Sequence, residues 1–249
     1  MSSAPTLTFL GSGDAFGSGG RFMTCFQVVH AGGAFLVDCG ASSMVAIRRF
    51  GVDPNGLDAV FVSHLHGDHF GGLPFFLLDA QFVSRRERPL TLVGPPGFGD
   101  RLHAARETLF PGSAATPPRF ALDIVELAPM QRFELGDVAV TPFEVRHFSG
   151  APPFALRFEI DGRVLAYSGD TEWTEALVPA ARNADLFVCE AYVLERKVKW
   201  HMDVATLVAR LPEIGARRVI LTHMSDDMLG RPAPAPCEKA EDGMTVSIG

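Results

Sequence analysis

The stretch Ser63-His64-Leu65-His66-Gly67-Asp68-His69 places four potential metal ligands within six residues, directly after a hydrophobic run. In extended backbone His64 and His66, two positions apart, share a face and can hold one cation. Asp68 and His69 lie beyond Gly67, where a turn lets them face a second cation nearby. Two cations about 3.5–4 Å apart suit hydrolysis. Three of the eight histidines stand in this one loop, which sets it apart from an ordinary polar turn. A cation pair needs more donors, and three further positions follow β-type runs: His147 after Phe143-Glu144-Val145-Arg146, Asp170 after Leu165-Ala166-Tyr167-Ser168-Gly169, and His223 after Val219-Ile220-Leu221-Thr222. Five His and two Asp, with no thiolate, suit zinc, with manganese or iron as alternatives.

The elements that must carry these residues are short. Apolar runs near residues 8, 27, 36, 61 and 91 are bounded by Gly, Pro or Asp and read as strands. Ala31-Gly32-Gly33, Gly136-Asp137 and Asp161-Gly162 read as hairpin turns, the last with the strongest turn dipeptide. Apolar spacing predicts helices at about 72–83, 98–109, 172–183 and 204–214. One plan occurs twice: a hairpin, a strand ending in an acidic loop (Asp38-Cys39-Gly40, then Gly169-Asp170-Thr171), a helix, and another strand. On this plan the run ending in His223 matches the run ending in His64, and the chain divides near residue 125 into two similar β-rich halves with helices outside. With no linker or low-complexity stretch, residues 1–249 are expected to form a single domain. Arg85-Arg86-Glu87-Arg88 and the Pro-Ala run near residue 234 read as surface loops, and His30 and His103 lack ligand spacing and read as surface residues.

A chain of 249 residues, 47% hydrophobic and 20% charged, is of the soluble globular class, which excludes disordered and fibrous proteins. No apolar stretch reaches the ~18 residues of a membrane span, and the start lacks a basic region followed by a long apolar one, so a cytoplasmic location is expected. Lys and Arg number 22 against 29 Asp and Glu, a net charge of −7, opposite to that of a strong polyanion binder. The aromatics are 20 Phe with two Trp and two Tyr and do not stripe a basic face, so no stacking platform for RNA is expected and nucleic acid is disfavoured as a partner. Cys25, Cys39, Cys189 and Cys237 are widely spaced and read as reduced thiols. The Gly-rich run Gly11–Gly17 is not followed by Lys-Ser/Thr and is no P-loop.

The His-Leu-His-Gly-Asp-His motif, with His147, Asp170 in Ser-Gly-Asp-Thr and His223 in Leu-Thr-His-Met-Ser following in order, resembles the metallo-β-lactamase superfamily over nearly the whole chain. The resemblance implies an α/β fold, an αββα sandwich. It implies one metal held by His64, His66 and His147, a second held by Asp68, His69 and His223, and Asp170 bridging both. Asp38 matches the family's strand-end Asp and would buttress a ligand without binding metal, and Gly11–Gly17 would line one wall of the site.

Within the superfamily, secreted β-lactamases lack the bridging Asp, and glyoxalase-type thioesterases add a C-terminal domain for which the residues after His223 leave no room. Ribonuclease Z and related phosphodiesterases fit better, sharing Glu190-Ala191-Tyr192, a further histidine at 201, and Leu-Thr-His-Met-Ser. By that resemblance His201, just before a helix that Asp203 could cap, is the general acid toward the leaving oxygen, and Glu190 orients it or supplies its proton. Asp68 is counted with His201 and Glu190 among the catalytic residues as well as among the ligands. Three departures weigh against transfer RNA as substrate. The segment from His147 to Asp170 is too short for ribonuclease Z's long arm, His-Met-Asp replaces its His-Ser-Thr, and Cys189 replaces the first His of its His-Glu-Ala-Thr. The expectation is a dinuclear metal-dependent hydrolase of a small or cyclic phosphodiester. A lactone or ester hydrolase and a non-catalytic cofactor-pathway accessory protein are the alternatives. Homodimers are common in the family, which makes self-association an option. Loops near 14–22, 108–120 and 225–236 would set the substrate.

Overall fold

The computed structural model describes residues 4–249. Along the first half run β1 (Thr6–Gly11), β2 (Cys25–His30), β3 (Gly33–Val37), α1 (Ser43–Arg49), β4 (Ala59–Phe61), α2 (Gly67–Phe70), α3 (Leu73–Phe82), β5 (Leu90–Gly94), α4 (Phe98–Leu109) and β6 (Leu122–Glu126). The second half holds β7 (Phe133–Leu135), β8 (Val138–Glu144), β9 (Phe154–Ile160), β10 (Arg163–Tyr167), α5 (Leu177–Ala181), β11 (Leu186–Glu190), α6 (Val204–Ile214), β12 (Val219–Thr222), α7 (Asp226–Leu229), β13 (Glu238–Lys239) and β14 (Thr245–Ser247).

The strands form two seven-stranded sheets, β14-β1-β2-β3-β4-β5-β6 and β13-β12-β11-β10-β9-β8-β7. Each sheet is antiparallel at one side and parallel at the other: β3, β4, β5 and β6 run parallel in the first, as do β10, β11, β12 and β13 in the second. The sheets pack face to face through Phe side chains. Phe61 meets Phe158 at 5.2 Å and Phe26 meets Tyr167 at 5.2 Å, both edge to face, the geometry aromatic quadrupoles favour. Two further cores bury α1, α3 and α4 on the outer face of the first sheet and α5 and α6 on that of the second. This is the expected αββα sandwich; the chain crosses to the second sheet between β6 and β7, close to residue 125, and crosses back for β14, which pairs with β1, so the division into two halves holds only up to β13.

The repeat of the sequence is a repeat of topology, with one correction. Position by position, β10 matches β3 and β11 matches β4, so the strand equivalent to the one before His64 is β11, ending in Glu190, and not β12 before His223. All three hairpins are present, and at Asp161-Gly162 both turn residues have positive φ, 51° and 73°, as a tight hairpin turn requires. The helices α4 and α6 keep the bounds read from periodicity. The helix expected at 172–183 shrinks to Leu177–Ala181, because Glu172 is in extended backbone, its N–H donating to Arg146 O at 3.2 Å to secure the loop that carries Asp170. α1, only seven residues long, escaped the periodicity reading.

Arg86 is a second correction. Far from lying on the surface, it is 1% exposed, and its guanidinium donates to the carbonyls of Pro54 at 3.0 Å, Leu57 at 2.7 Å, Arg88 at 2.8 Å and Pro89. Each buried carbonyl left without a donor costs about 1–3 kcal/mol. Arg86→Met should therefore lower the unfolding free energy by about 3 kcal/mol or more, read as a shifted midpoint in urea titration.

Candidate metal centre

The site lies where strand ends of both sheets meet. Past β4, the Ser63 N–H donates to Asp38 Oδ1 at 2.7 Å, and the Ser63 hydroxyl donates to Asp38 Oδ2 at 2.9 Å. Asp38 has φ 58°, and its own N–H donates to Phe61 O at 2.8 Å, so the strand pair fixes its unusual conformation. The same carboxylate accepts from His69 Nδ1 at 2.7 Å, which leaves His69 Nε2 directed into the cluster. Asp68 and His69 sit on the single turn of α2, not on a loop as expected, and that turn presents both toward one point. Gly40 lets the backbones meet there, since a Cβ would come within 2.2 Å of Asp68 O.

From the second sheet, His147 follows β8, and its Nδ1 donates to Trp200 O at 3.0 Å. Asp170 follows β10 after Gly169, whose φ of 58° and whose proximity to Phe154 O, 2.6 Å from a notional Cβ, require glycine. His223 follows β12 with φ 56°, and its N–H donates to Ser12 O at 3.0 Å.

All seven expected ligand positions converge. His64, His66 and His147 bring their nitrogens within 4.8 Å of one another, and so do the donor atoms of Asp68, His69, Asp170 and His223. Asp170 reaches both groups: Oδ1 lies 3.3 Å from His69 Nε2, and Oδ2 lies 3.4 Å from His223 Nε2 and 3.9 Å from the Nε2 atoms of His64 and His147. Asp68 Oδ2 accepts from His223 Nε2 at 3.1 Å and is 3.3 Å from His69 Nε2. His30 and His103 belong to neither group.

Charge divides the two groups. Burial pushes the imidazole of His64 well down and that of His147 down to about 4, so these nitrogens are unprotonated lone-pair donors at neutral pH. Burial acts the same way on His69 and His223, but there Asp170 and Asp68 outweigh it, with Asp38 adding to the effect on His69; His69 is held well up and His223 at about 9. Burial would raise Asp170, and His223 and His69 more than reverse it. The second group is thus a pocket of anionic oxygen that demands positive charge. Buried His64 Nε2, His69 Nε2 and Asp170 Oδ1 have no hydrogen-bond partner, although such atoms are nearly always satisfied. Two nitrogens, His66 Nδ1 and His147 Nε2, face each other at 2.9 Å. Orphaned donors of this kind, converging in two sets joined by one carboxylate, fit a pair of divalent cations.

Beside the cluster, buried Glu190 has its carboxylate filled: Oε2 accepts from Thr171 N at 2.6 Å and Met202 N at 3.4 Å, and Oε1 accepts from His201 Nδ1. Burial, then the charge of Asp170, raises the Glu190 carboxyl, and its pairing raises the His201 imidazole against the opposing effect of burial. The His201 ring stands 5.1 Å from that of His147. Asp203 caps α6 as expected, accepting from Thr206 N at 2.9 Å.

Sequence reasoning missed the fixing of the Gly11–Gly17 wall. Asp242 accepts from Ser12 N at 2.9 Å, from Ser12 Oγ at 2.8 Å and from Phe22 N at 2.8 Å, across a separation in the chain that no local signal spans. It also missed a pair of aromatics, Phe148 and Trp200, each adjacent in sequence to a site histidine and stacked at 5.4 Å.

Comparison with known proteins agrees with this geometry. Residues 34–224 match the family model described as the beta-lactamase superfamily domain. A ribonuclease Z of Myxococcus xanthus is 30% identical, covering 97% of each chain, in an alignment 305 positions long against 249 residues here; the relative carries segments that this chain lacks. Among solved structures, human tRNase Z, short form, superposes with a TM-score of 0.81 at 24% identity over 98% of this chain and 99% of that one, and a diphosphatase of the PhnP family with 0.78 at 20% identity over 98% of each. No helix of the described residues is long and apolar enough to cross a membrane. With relatives named for RNA, the expectation against nucleic acid, drawn from net charge, loses its force. Matched over most of its length and carrying the His/Asp cluster, the chain belongs to the β-lactamase superfamily and is a metal-dependent hydrolase.

Proposed function

We propose that this hydrolase is a phosphodiesterase acting on a small or cyclic phosphodiester, with His201 as its acid. The observation that carries the reading is the His201–Glu190 pair: a histidine in neither the His64–His66–His147 set nor the Asp68–His69–Asp170–His223 set, tied through Nδ1 to a buried carboxylate, with donor atoms of the pair within 4.8 Å of those of Asp170 and His223. His64, His66 and His147 would hold one cation, Asp68, His69 and His223 the other, and Asp170 both, zinc being favoured by the donor set. Such cations supply Lewis acidity toward a phosphoryl oxygen and lower the pKa of an attacking water toward about 7. His201, its Nδ1 engaged, keeps Nε2 for the departing oxygen, and Glu190 keeps the ring protonated and oriented.

A small substrate is supported by the short path between His147 and Asp170, which β9 and β10 occupy with a tight turn between them. RNA is the second reading, favoured by the name of the Myxococcus relative. The test is elemental analysis of the purified protein together with hydrolysis of bis-p-nitrophenyl phosphate before and after chelation. Two metals per chain and chelator-sensitive turnover are expected. Turnover confined to lactones or carboxylic esters would replace this reading with an ester hydrolase, and a metal-loaded protein inert to the whole panel would favour a binding role.

A further inference from the structure

Two aromatic and two cationic side chains gather beside the site, and the acid and ligand roles use none of them. Phe148 is 67% exposed and stacks on Trp200 with ring centroids 5.4 Å apart and planes 23° from parallel. Lys199 Nζ lies 4.1 Å from the centre of the Trp200 ring. Arg146 lies just past β8, 3.8 Å from Glu172, and Arg146, Phe148, Glu172 and Trp200 line one groove of about 420 Å³ that His147 also lines. The chain is acidic overall, yet Arg196, Lys197 and Lys199 gather just before Trp200.

The backbone is shaped to present this pair. Trp200 has φ 68°, a conformation bulky residues rarely adopt. It is held there from both sides: its N–H donates to Glu172 Oε2 at 3.1 Å, and its carbonyl accepts from His147 Nδ1 at 3.0 Å. The bond that aims His147 into the cluster therefore also sets the Trp200 ring against Phe148. A large exposed aromatic is an expense in a water-facing groove and is otherwise unexplained there. An exposed Phe148 backed by a half-buried Trp200 and flanked by cations, next to the proposed phosphodiesterase centre, has the composition that binds nucleobases, because every base has a π-face and a neighbouring phosphate.

We infer that Phe148 and Trp200 are a stacking platform for a nucleobase, and that the phosphodiester cleaved at the neighbouring centre belongs to a nucleotide. The inference rests on the phosphodiesterase reading for the identity of the bond, but the platform can be tested apart from it. A base extends the stack from the exposed face of Phe148 while its phosphate reaches the cluster side of the groove, which Arg146 and His147 also line. A cyclic mononucleotide and the 3′ end of a short RNA strand share this chemistry.

The chain has two tryptophans, so Trp173→Phe leaves Trp200 as the sole reporter. Titrating metal-loaded Trp173→Phe protein with AMP, a monoester that a phosphodiesterase leaves intact, should change Trp200 fluorescence saturably, ribose 5-phosphate should not, and adding Phe148→Ala should weaken AMP binding about tenfold or more. In the same metal-loaded protein, the ratio of kcat/KM for 2′,3′-cyclic AMP to that for a cyclic sugar phosphate without a base should fall about tenfold in Phe148→Ala, with Phe148→Tyr restoring it. Comparing the cyclic nucleotide with a short oligoadenylate identifies which source is used. Equal responses to AMP and ribose 5-phosphate, or AMP binding indifferent to Phe148→Ala, would overturn the platform. AMP binding lost in Phe148→Ala with no phosphodiester hydrolysed would keep the platform and reject the phosphodiesterase reading.

Discussion

Asp170→Asn should abolish hydrolysis while leaving the protein folded: a fall in kcat/KM of about 10³-fold or more, with less than two metals bound per chain. Among the described residues, Asp170 is the one carboxylate whose oxygens lie within 4 Å of nitrogens of both groups, 3.3 Å from His69, 3.4 Å from His223 and 3.9 Å from His64 and His147. Its loss removes the charge that makes the two groups one site, and several kcal/mol of electrostatic stabilisation corresponds to about a thousandfold in rate. Asn keeps the shape and avoids a cavity in a buried loop whose Gly169 tolerates no rearrangement. Circular dichroism and urea unfolding check the fold, and elemental analysis checks the metal. Full activity in this variant would remove the two-metal mechanism.

The second large effect depends on the leaving group. His201→Ala should slow hydrolysis of a phosphodiester with an alcohol leaving group by about 10²–10⁴-fold, the usual contribution of a positioned acid. With p-nitrophenolate, which departs without a proton, the loss should be small. That contrast isolates proton donation from structural damage, because a misfolded site would lose both substrates alike. Glu190→Gln should change rates in the same direction by less, since Thr171 N and Met202 N still hold the side chain in place. Equal losses on both substrates in His201→Ala would reassign His201 to positioning.

What could be read from the sequence follows from distance along the chain. The ligand positions were legible because each closes a strand or, at 64–69, crowds donors into one stretch, and strand ends of a layered fold necessarily gather at one rim. The helix α6 was legible because its Asp203 cap and Gly215, at φ 68°, punctuate a periodic run. The failures share a cause. Arg86 looks like one of a charged run until Pro54 and Leu57, some thirty residues earlier, bring their carbonyls to it. Phe148 and Trp200 are far apart in sequence, so no aromatic stripe could be seen where the fold makes one. The second-half repeat was misaligned by one strand for the same reason: local pattern shows that a strand ends in an acid or a histidine, while only pairing shows which strand lies beside which.

Neither sheet owns a complete set of ligands. His64 and His66 need His147 from across the sandwich, and Asp68 and His69 need Asp170 and His223. A cation bound to both sets is therefore also a fastener between the two halves of the chain, and any affinity it has for the assembled rim is, by mass action, affinity of one half for the other. Metal supply would then govern mechanical integrity along with catalysis: scarcity would loosen one sheet from the other at the rim past β4, β8, β10 and β12, even where every strand within each sheet stays paired.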